Sequence, residues 1–337
     1  MEEMIGKALL SGEREAQVFA ARELCNLTTK QRHKLAEKGV IPPLVLMLHG
    51  HDYEAIEAAL FALLCLAFRS ERNKIRIAKS GAIPILPRIL LCQKESLVEL
   101  AVAALLTLSS CRANKLAIAA SGAIGLLIDI LNAQLAAENG YGNLSIQANL
   151  DILTTLQNLS TCPQIIPTIV LSGAVKSLFQ LLTQDSEKSS ELVEKAMGML
   201  EKMISSSEIA MEEVAETPGV IQVLVEAIEE GTPLCREHAV GTLLDICQSC
   251  RDRYRGIILR EGAMPGLLQL SVDGTCKARE KAKDLLLILR DCSNYANREK
   301  KQSKNQIMEQ VMRQIDRVEK TGKGLSLVEE MIAKLRT

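Results

Sequence analysis

The sequence predicts an all-α chain made of short helices in tandem, and three observations carry that reading. The first is composition: of 337 residues 47% are hydrophobic, yet aromatics make up 2% and Trp is absent. Leu, Ala, Glu, Lys and Met at this density favour helix, whereas strands would call for β-branched and aromatic residues. The second is a recurring phrase, Gly39-Val40-Ile41-Pro42, Gly81-Ala82-Ile83-Pro84, Gly122-Ala123-Ile124-Gly125, Gly173-Ala174-Val175-Lys176, Gly219-Val220-Ile221-Gln222 and Gly262-Ala263-Met264-Pro265. From glycine to glycine the intervals are 42, 41, 51, 46 and 43 residues, the period of a helical solenoid. The third is what surrounds each phrase: a short apolar-periodic segment before it, an apolar run after it, and then a longer stripe.

Each element of the unit follows from local chemistry. A segment such as Asn73-Lys74-Ile75-Arg76-Ile77-Ala78 reads as a short helix. The glycine then fits the left-handed residue just beyond a helix end, and Pro in the next first turn lacks only an N–H that would be orphaned anyway. Leu44-Val45-Leu46-Met47-Leu48 forms the second helix. After a polar break, Ile56, Ala59, Leu60, Leu63, Leu64 and Ala67 mark one face of a longer third helix. At matching positions of the third helices, Leu63, Leu105, Leu156 and Leu243 form an expected buried seam. The chain enters mid-repeat: Met4, Ile5, Leu9 and Leu10 supply one helix and Val18 to Leu27 the next.

These motifs resemble the armadillo family: the Gly-Ala-Ile-Pro turn, third helices ending as in Leu24-Cys25-Asn26-Leu27-Thr28 or Leu156-Gln157-Asn158-Leu159-Ser160, and the downstream Asn73 and Asn114. The stretch from Glu261 through Asp291 is similar to the closing repeats of plant armadillo proteins, many of which carry a U-box; the residues ahead of the first repeat are too few for that module. The resemblance implies a right-handed armadillo superhelix, an α-solenoid. We place a partial first repeat and about six three-helix repeats in residues 1–291, with a loop insertion near 132–145 around Asn139-Gly140-Tyr141-Gly142-Asn143. Residues 292–337 read as two capping helices, one with Met308, Val311, Met312, Ile315 and Val318 on a face, the other with Leu325, Val328, Met331, Ile332 and Leu335.

The chemistry of catalysis is missing from the sequence. No phosphate loop, dinucleotide fingerprint, His-Glu-x-x-His pair or nucleophile elbow occurs, and four histidines offer little for acid-base work. Cys235, His238, Cys247 and Cys250 are residues of zinc-ligand type, but a continuous helix would put the two pairs about 18 Å apart, too far for one ion. We therefore expect no enzyme, no cofactor, no metal and no small-molecule substrate. The ten cysteines read as reduced packing residues. Forty basic residues against 41 acidic give no field suited to nucleic acid, although residues 187–230 carry a net charge of −8, eleven acids against three lysines. The longest apolar run, Ala58 to Phe68, is too short to span a bilayer, and Met1-Glu2-Glu3-Met4 lacks a secretory pattern, so a cytoplasmic or nuclear location is expected.

What remains is surface, and the expected partners are proteins or extended peptides lying along the third helices. In the peptide-gripping relatives, the resemblance implies, an Asn in each third helix holds the peptide backbone and a Trp one turn earlier packs its side chains. Here the asparagine slots hold Asn26, Cys65, Thr107, Asn158, Lys202, Asp245 and Ile288, and the Trp slots Arg22, Phe61, Ala103, Thr154, Gly198, Gly241 and Asp284. The candidate binding residues are Arg22, Asn26, Phe61, Thr154 and Asn158. The alternative use of the same surface is substrate recognition in a U-box ubiquitin-ligase system.

Overall fold

A computed structural model describes residues 2–135, 144–184 and 190–290. Every regular element among them is helical. An opening pair, α1 (Glu2–Leu10) and α2 (Arg14–Leu24), precedes six triplets. These are α3 (Thr29–Glu37), α4 (Ile41–Met47) and α5 (Tyr53–Ala67); α6 (Glu71–Lys79), α7 (Leu86–Leu90) and α8 (Glu95–Ser109); α9 (Lys115–Ala120), α10 (Ala123–Leu135) and α11 (Ile146–Ser160). Then follow α12 (Ile166–Leu171), α13 (Ala174–Gln184) and α14 (Glu191–Ile204); α15 (Glu208–Glu216), α16 (Val220–Glu230) and α17 (Pro233–Ser249); α18 (Arg251–Arg260), α19 (Ala263–Asp273) and α20 (Cys276–Leu289). Short 3-10 turns, Arg112–Asn114 and Pro163–Ile165, lead into α9 and α12. The insertion's centre and the two expected capping helices of 292–337 lie outside the described residues.

The six phrase glycines all have positive φ, between 80° and 92°, and Gly12 after α1 joins them. At Gly81 the closure is complete: its N–H donates to Ala78 O at 3.0 Å and the Ala82 N–H reaches back to Ile77 O at 3.3 Å, the paired bonds that end a helix on a left-handed residue. Pro42 and Pro265 sit in the first turns of α4 and α19 as expected, but Pro84 falls in a separate turn ahead of α7. That turn is closed by the Ile85 N–H donating to Ala82 O, which delays the helix until Leu86. Polar side chains cap most of the third helices: Asp52, Ser145, Ser190, Thr232 and Thr275 accept from backbone N–H groups of α5, α11, α14, α17 and α20.

These glycines give a first expected outcome. An added Cβ at Gly81 would meet no atom within 4 Å, so only the backbone resists it. Gly81→Ala should cost about 1 to 2 kcal/mol from the left-handed conformation alone. Gly256, inside α18 and equally open, lacks that constraint, and Gly256→Ala should stabilise by about 1 kcal/mol through helix propensity. Urea midpoints that move in opposite directions would bear this out; equal shifts would not.

The chain divides into two compact units, Met1–Ser177 and Leu178–Thr337. In the first, α2, α5, α8 and α11 pack side by side in succession; in the second, α14, α17 and α20 do the same. The expected seam is buried: Leu63, Leu105, Leu156 and Leu243 are all at most 5% exposed. Asn73 and Asn114, flagged by the family resemblance, are buried structural ties. Asn73 donates to Leu66 O at 2.8 Å, and Asn114 donates to Leu108 O and Lys74 O, so each first helix is fastened to the end of the preceding third helix.

Candidate protein-binding face on the third helices

Burying one side of each third helix leaves the opposite side for solvent or a partner. On α2 the exposed side carries Glu15, Phe19, Arg22 and, just past the helix, Asn26, a spacing of one helical face. On α5 it carries Glu54 and Phe61, with Phe68 just past the helix end. Phe19, Phe61 and Phe68 are 67%, 48% and 57% exposed, so three of the four phenylalanines in the chain stand in water at this end of the first unit. Aromatic side chains, phenylalanine among them, are enriched at protein interfaces.

Arg22, Asn26 and Phe61 are brought together by the packing of α2 on α5. The Arg22 guanidinium pairs with Glu54 at 3.0 Å, and Arg14 reaches both Glu54 and Asp52. Arg22 is therefore held by an exposed intramolecular pair, worth little in stability and open to exchange for a partner's carboxylate. The Asn26 side chain makes a long local contact to the Glu23 carboxylate, and its backbone N–H donates to Glu23 O at 3.1 Å. Thr154 and Asn158 stand on α11, two third helices further along. The Thr154 hydroxyl donates to Leu150 O within its own helix, and the Asn158 amide donates across to the Ser109 hydroxyl of α8 at 3.1 Å. Asn158 thus already ties two third helices together, with its half-buried side chain still at the surface.

A pattern absent from the sequence reading lies beneath the asparagine slots. Arg32 donates to Cys65 O at 3.0 Å, Lys115 to Asn158 O at 2.6 Å and Arg251 to Ile288 O at 2.7 Å. In each case a cation from a first helix neutralises the carbonyl end of the third helix in its own repeat, where the helix dipole is negative. Lys115 is 8% exposed, buried for this purpose.

The second unit fills its Trp slots differently. Glu201 of α14 receives His238 of α17 and Lys281 of α20, each at 2.6 Å, so one carboxylate links three successive third helices. Gly198 and Gly241 make the room: a Cβ on Gly241 would fall 1.9 Å from Glu201 Oε1 and 2.8 Å from Lys281 Nζ, and one on Gly198 would lie 3.0 Å from the His238 ring. Burial pushes the Glu201 carboxyl upward, but the bonds from His238 and Lys281 outweigh it and hold the group below the usual glutamate value. Asp245, in an asparagine slot, goes the other way, raised chiefly by burial with the neighbouring Glu201 charge adding, against its bond from Ser205. His238, which the sequence offers no nucleophile to serve, is satisfied here as part of a network. Its signal was the pair of glycines where neighbouring repeats carry larger residues.

The cysteines also depart from expectation. Of the nine in the described residues, Cys111, Cys235 and Cys247 are buried packing residues, but Cys25, Cys65, Cys92 and Cys162 are half-buried and Cys250 and Cys276 exposed. The last two sit at the starts of α18 and α20. Cys235 and Cys247 do lie on one unbroken helix, α17, which separates them along its axis.

Comparison with known proteins agrees with this architecture. The model of the plant U-box protein ARM repeat region matches residues 127–308, more than half of the chain. The chain belongs to that family. The armadillo/beta-catenin-like repeat model matches residues 70–110, the repeat that ends with α8. U-box domain-containing protein 17 of Arabidopsis thaliana is 31% identical over 297 residues, 87% of this chain and 39% of the relative. U-box domain-containing protein 45 of the same plant is 28% identical over 247 residues, 72% of this chain and 30% of the relative. The chain thus spans about a third of the length of these relatives, and the matched part is the armadillo array. Among solved structures, a designed armadillo repeat protein superposes with a TM-score of 0.61 at 19% identity, covering 74% of this chain and 99% of the design.

Proposed function

We propose that the chain is a non-enzymatic interaction scaffold of the cytoplasm or nucleus, which holds a partner polypeptide along the exposed face of its third helices. The observation that carries the reading is the exposure of Phe19, Phe61 and Phe68 on or just past the adjacent helices α2 and α5, which also carry the exchangeable Arg22–Glu54 pair. Phenylalanine is among the residues enriched at protein interfaces, and three of the four in this chain are exposed here. Thr154 and Asn158 would extend the track to α11, the amide of Asn158 offering an acceptor once Ser109 has taken one of its N–H donors.

Peptides selected by display against the intact chain test the proposal. Phe61→Ser and Thr154→Arg should each weaken such peptides about tenfold or more while the unfolding midpoint holds, and Leu46→Ser, on the exposed side of α4, should leave affinity unchanged. Peptides insensitive to both changes would place binding elsewhere.

A second reading is favoured by the family itself: the array acts as the substrate-recognition part of a U-box ligase system. It uses the same face, and it predicts that a polypeptide bound there is ubiquitylated when a U-box ligase and its conjugating enzyme are supplied. Binding without modification would leave the scaffold reading alone standing.

A further inference from the structure

Cys25 closes α2 and Cys65 lies near the end of α5, one repeat later. Their sulfurs are 2.6 Å apart, both side chains are half-buried free thiols, and Cys25 Sγ also lies 3.5 Å from the Phe61 carbonyl. Packing of the two helices has therefore brought a pair of thiols close to the roughly 2.05 Å of a covalent disulfide. We propose that Cys25 and Cys65 form an oxidation site, at which a hydroperoxide-class oxidant converts the thiol pair into a disulfide stapling α2 to α5.

The chemistry balances. The Cys65 thiolate attacks the O–O bond of hydrogen peroxide and takes one oxygen as a sulfenic acid, and the other oxygen leaves as water after protonation. The Cys25 sulfur, losing its proton, then displaces hydroxide from the Cys65 sulfur. Two thiols and one peroxide become one disulfide and two waters, with two electrons passing from the sulfurs to the peroxide oxygens.

The surroundings assign the order of attack. The hydrogen bond with Cys25 lowers Cys65, burial opposes it, and the Arg32 guanidinium lowers it further, leaving that thiol at about 7. Arg32 is fixed there by its bond to Cys65 O. Cys25 moves upward, through its bond with Cys65 and through burial. With the Arg32 guanidinium anchored at its own backbone carbonyl, Cys65 serves as the attacking sulfur and Cys25 as the resolving one, the arrangement expected of a redox-sensitive pair.

The inference stands apart from the binding proposal, and its test does not need a partner. The intact chain, fully reduced and then titrated with hydrogen peroxide, is mapped by mass spectrometry without reduction. The tryptic peptides 23–30 and 39–69 should appear joined and lighter by two hydrogen atoms, at oxidant levels below those that modify the exposed Cys250 and Cys276. The unfolding midpoint should rise and return on reduction. Cys25→Ser should abolish the joined peptide and leave Cys65 as a dimedone-reactive sulfenic acid; Cys65→Ser should abolish both signals. Circular dichroism establishes that each variant is folded, and Cys25→Ala replaces Cys25→Ser if it is not. A pair that stays reduced while Cys250 and Cys276 oxidise, or a linked chain that melts no higher than the reduced one, would overturn the proposal.

Discussion

Leu105→Ala should cost the protein about 3 to 4 kcal/mol, one of the two largest losses expected of a single substitution. Leu105 is fully buried on α8, which packs against α5 on one side and α11 on the other. Removing its outer carbons forfeits transfer energy and leaves a void that helices held on both sides cannot collapse into. Leu287 on α20 is the matched control: it is 53% exposed, and Leu287→Ala should stay within about 0.5 kcal/mol. Because repeats contact only their neighbours, the loss at Leu105 should also broaden the denaturant transition, whereas Leu287→Ala should leave its slope intact. Equal shifts for the two variants, read in urea, would contradict the stacking described here.

The second large effect centres on Glu201. Replacing it with Gln leaves His238 and Lys281, both largely shielded, facing a neutral amide, and charge-assisted hydrogen bonds of this kind carry about 1.5 to 3 kcal/mol each. The bonds are coupled, so a total loss near 3 kcal/mol at neutral pH is expected rather than their sum. The pH dependence has a definite sign. A glutamate held below its ordinary value of about 4.3 supplies stability that is fully present above that value and lost as pH falls through the lowered one. Wild-type protein should therefore lose stability over this acid range more steeply than Glu201→Gln.

The same network reverses the usual effect of an alanine in a helix. Gly241→Ala would ordinarily gain about 1 kcal/mol by propensity, but here the new methyl group displaces the Glu201 carboxylate and the Lys281 ammonium, so a net loss is expected. In a Glu201→Ala background the obstacle is gone and the propensity gain should reappear. The sign change is what a double-mutant cycle would record; additive effects would mean that the glycine and the ion network are independent.

Much of the fold was legible because its signals are local. A left-handed helix end demands glycine, so the six repeated glycines marked six helix ends, and the apolar stripes marked the third helices. Turn detail was less legible: Pro84 reads like Pro42 in sequence but belongs to a different turn, because a backbone bond rather than the proline decides where α7 begins. Long-range chemistry was largely hidden. Glu201, His238 and Lys281 meet across separations of 37 and 80 residues, and no periodicity of one helix predicts a meeting of three. Cys25 and Cys65 were one repeat apart in plain sight, but composition treats cysteine as a small hydrophobe and cannot say which two sulfurs share a surface. The candidate residues were found as positions on a face; that Arg22 is held by Glu54 and Asn158 by Ser109 required side-chain geometry.

A partner received on the exposed face of the third helices should be caught there by site-directed photocrosslinking. A benzophenone side chain placed at Phe61 or at Thr154 should form covalent adducts with a bound peptide, while the same group at Leu116, exposed on the first helix α9, or at Leu46 on the second helix α4, should not. Adducts at Leu116 or Leu46 with none at Phe61 and Thr154 would contradict the account.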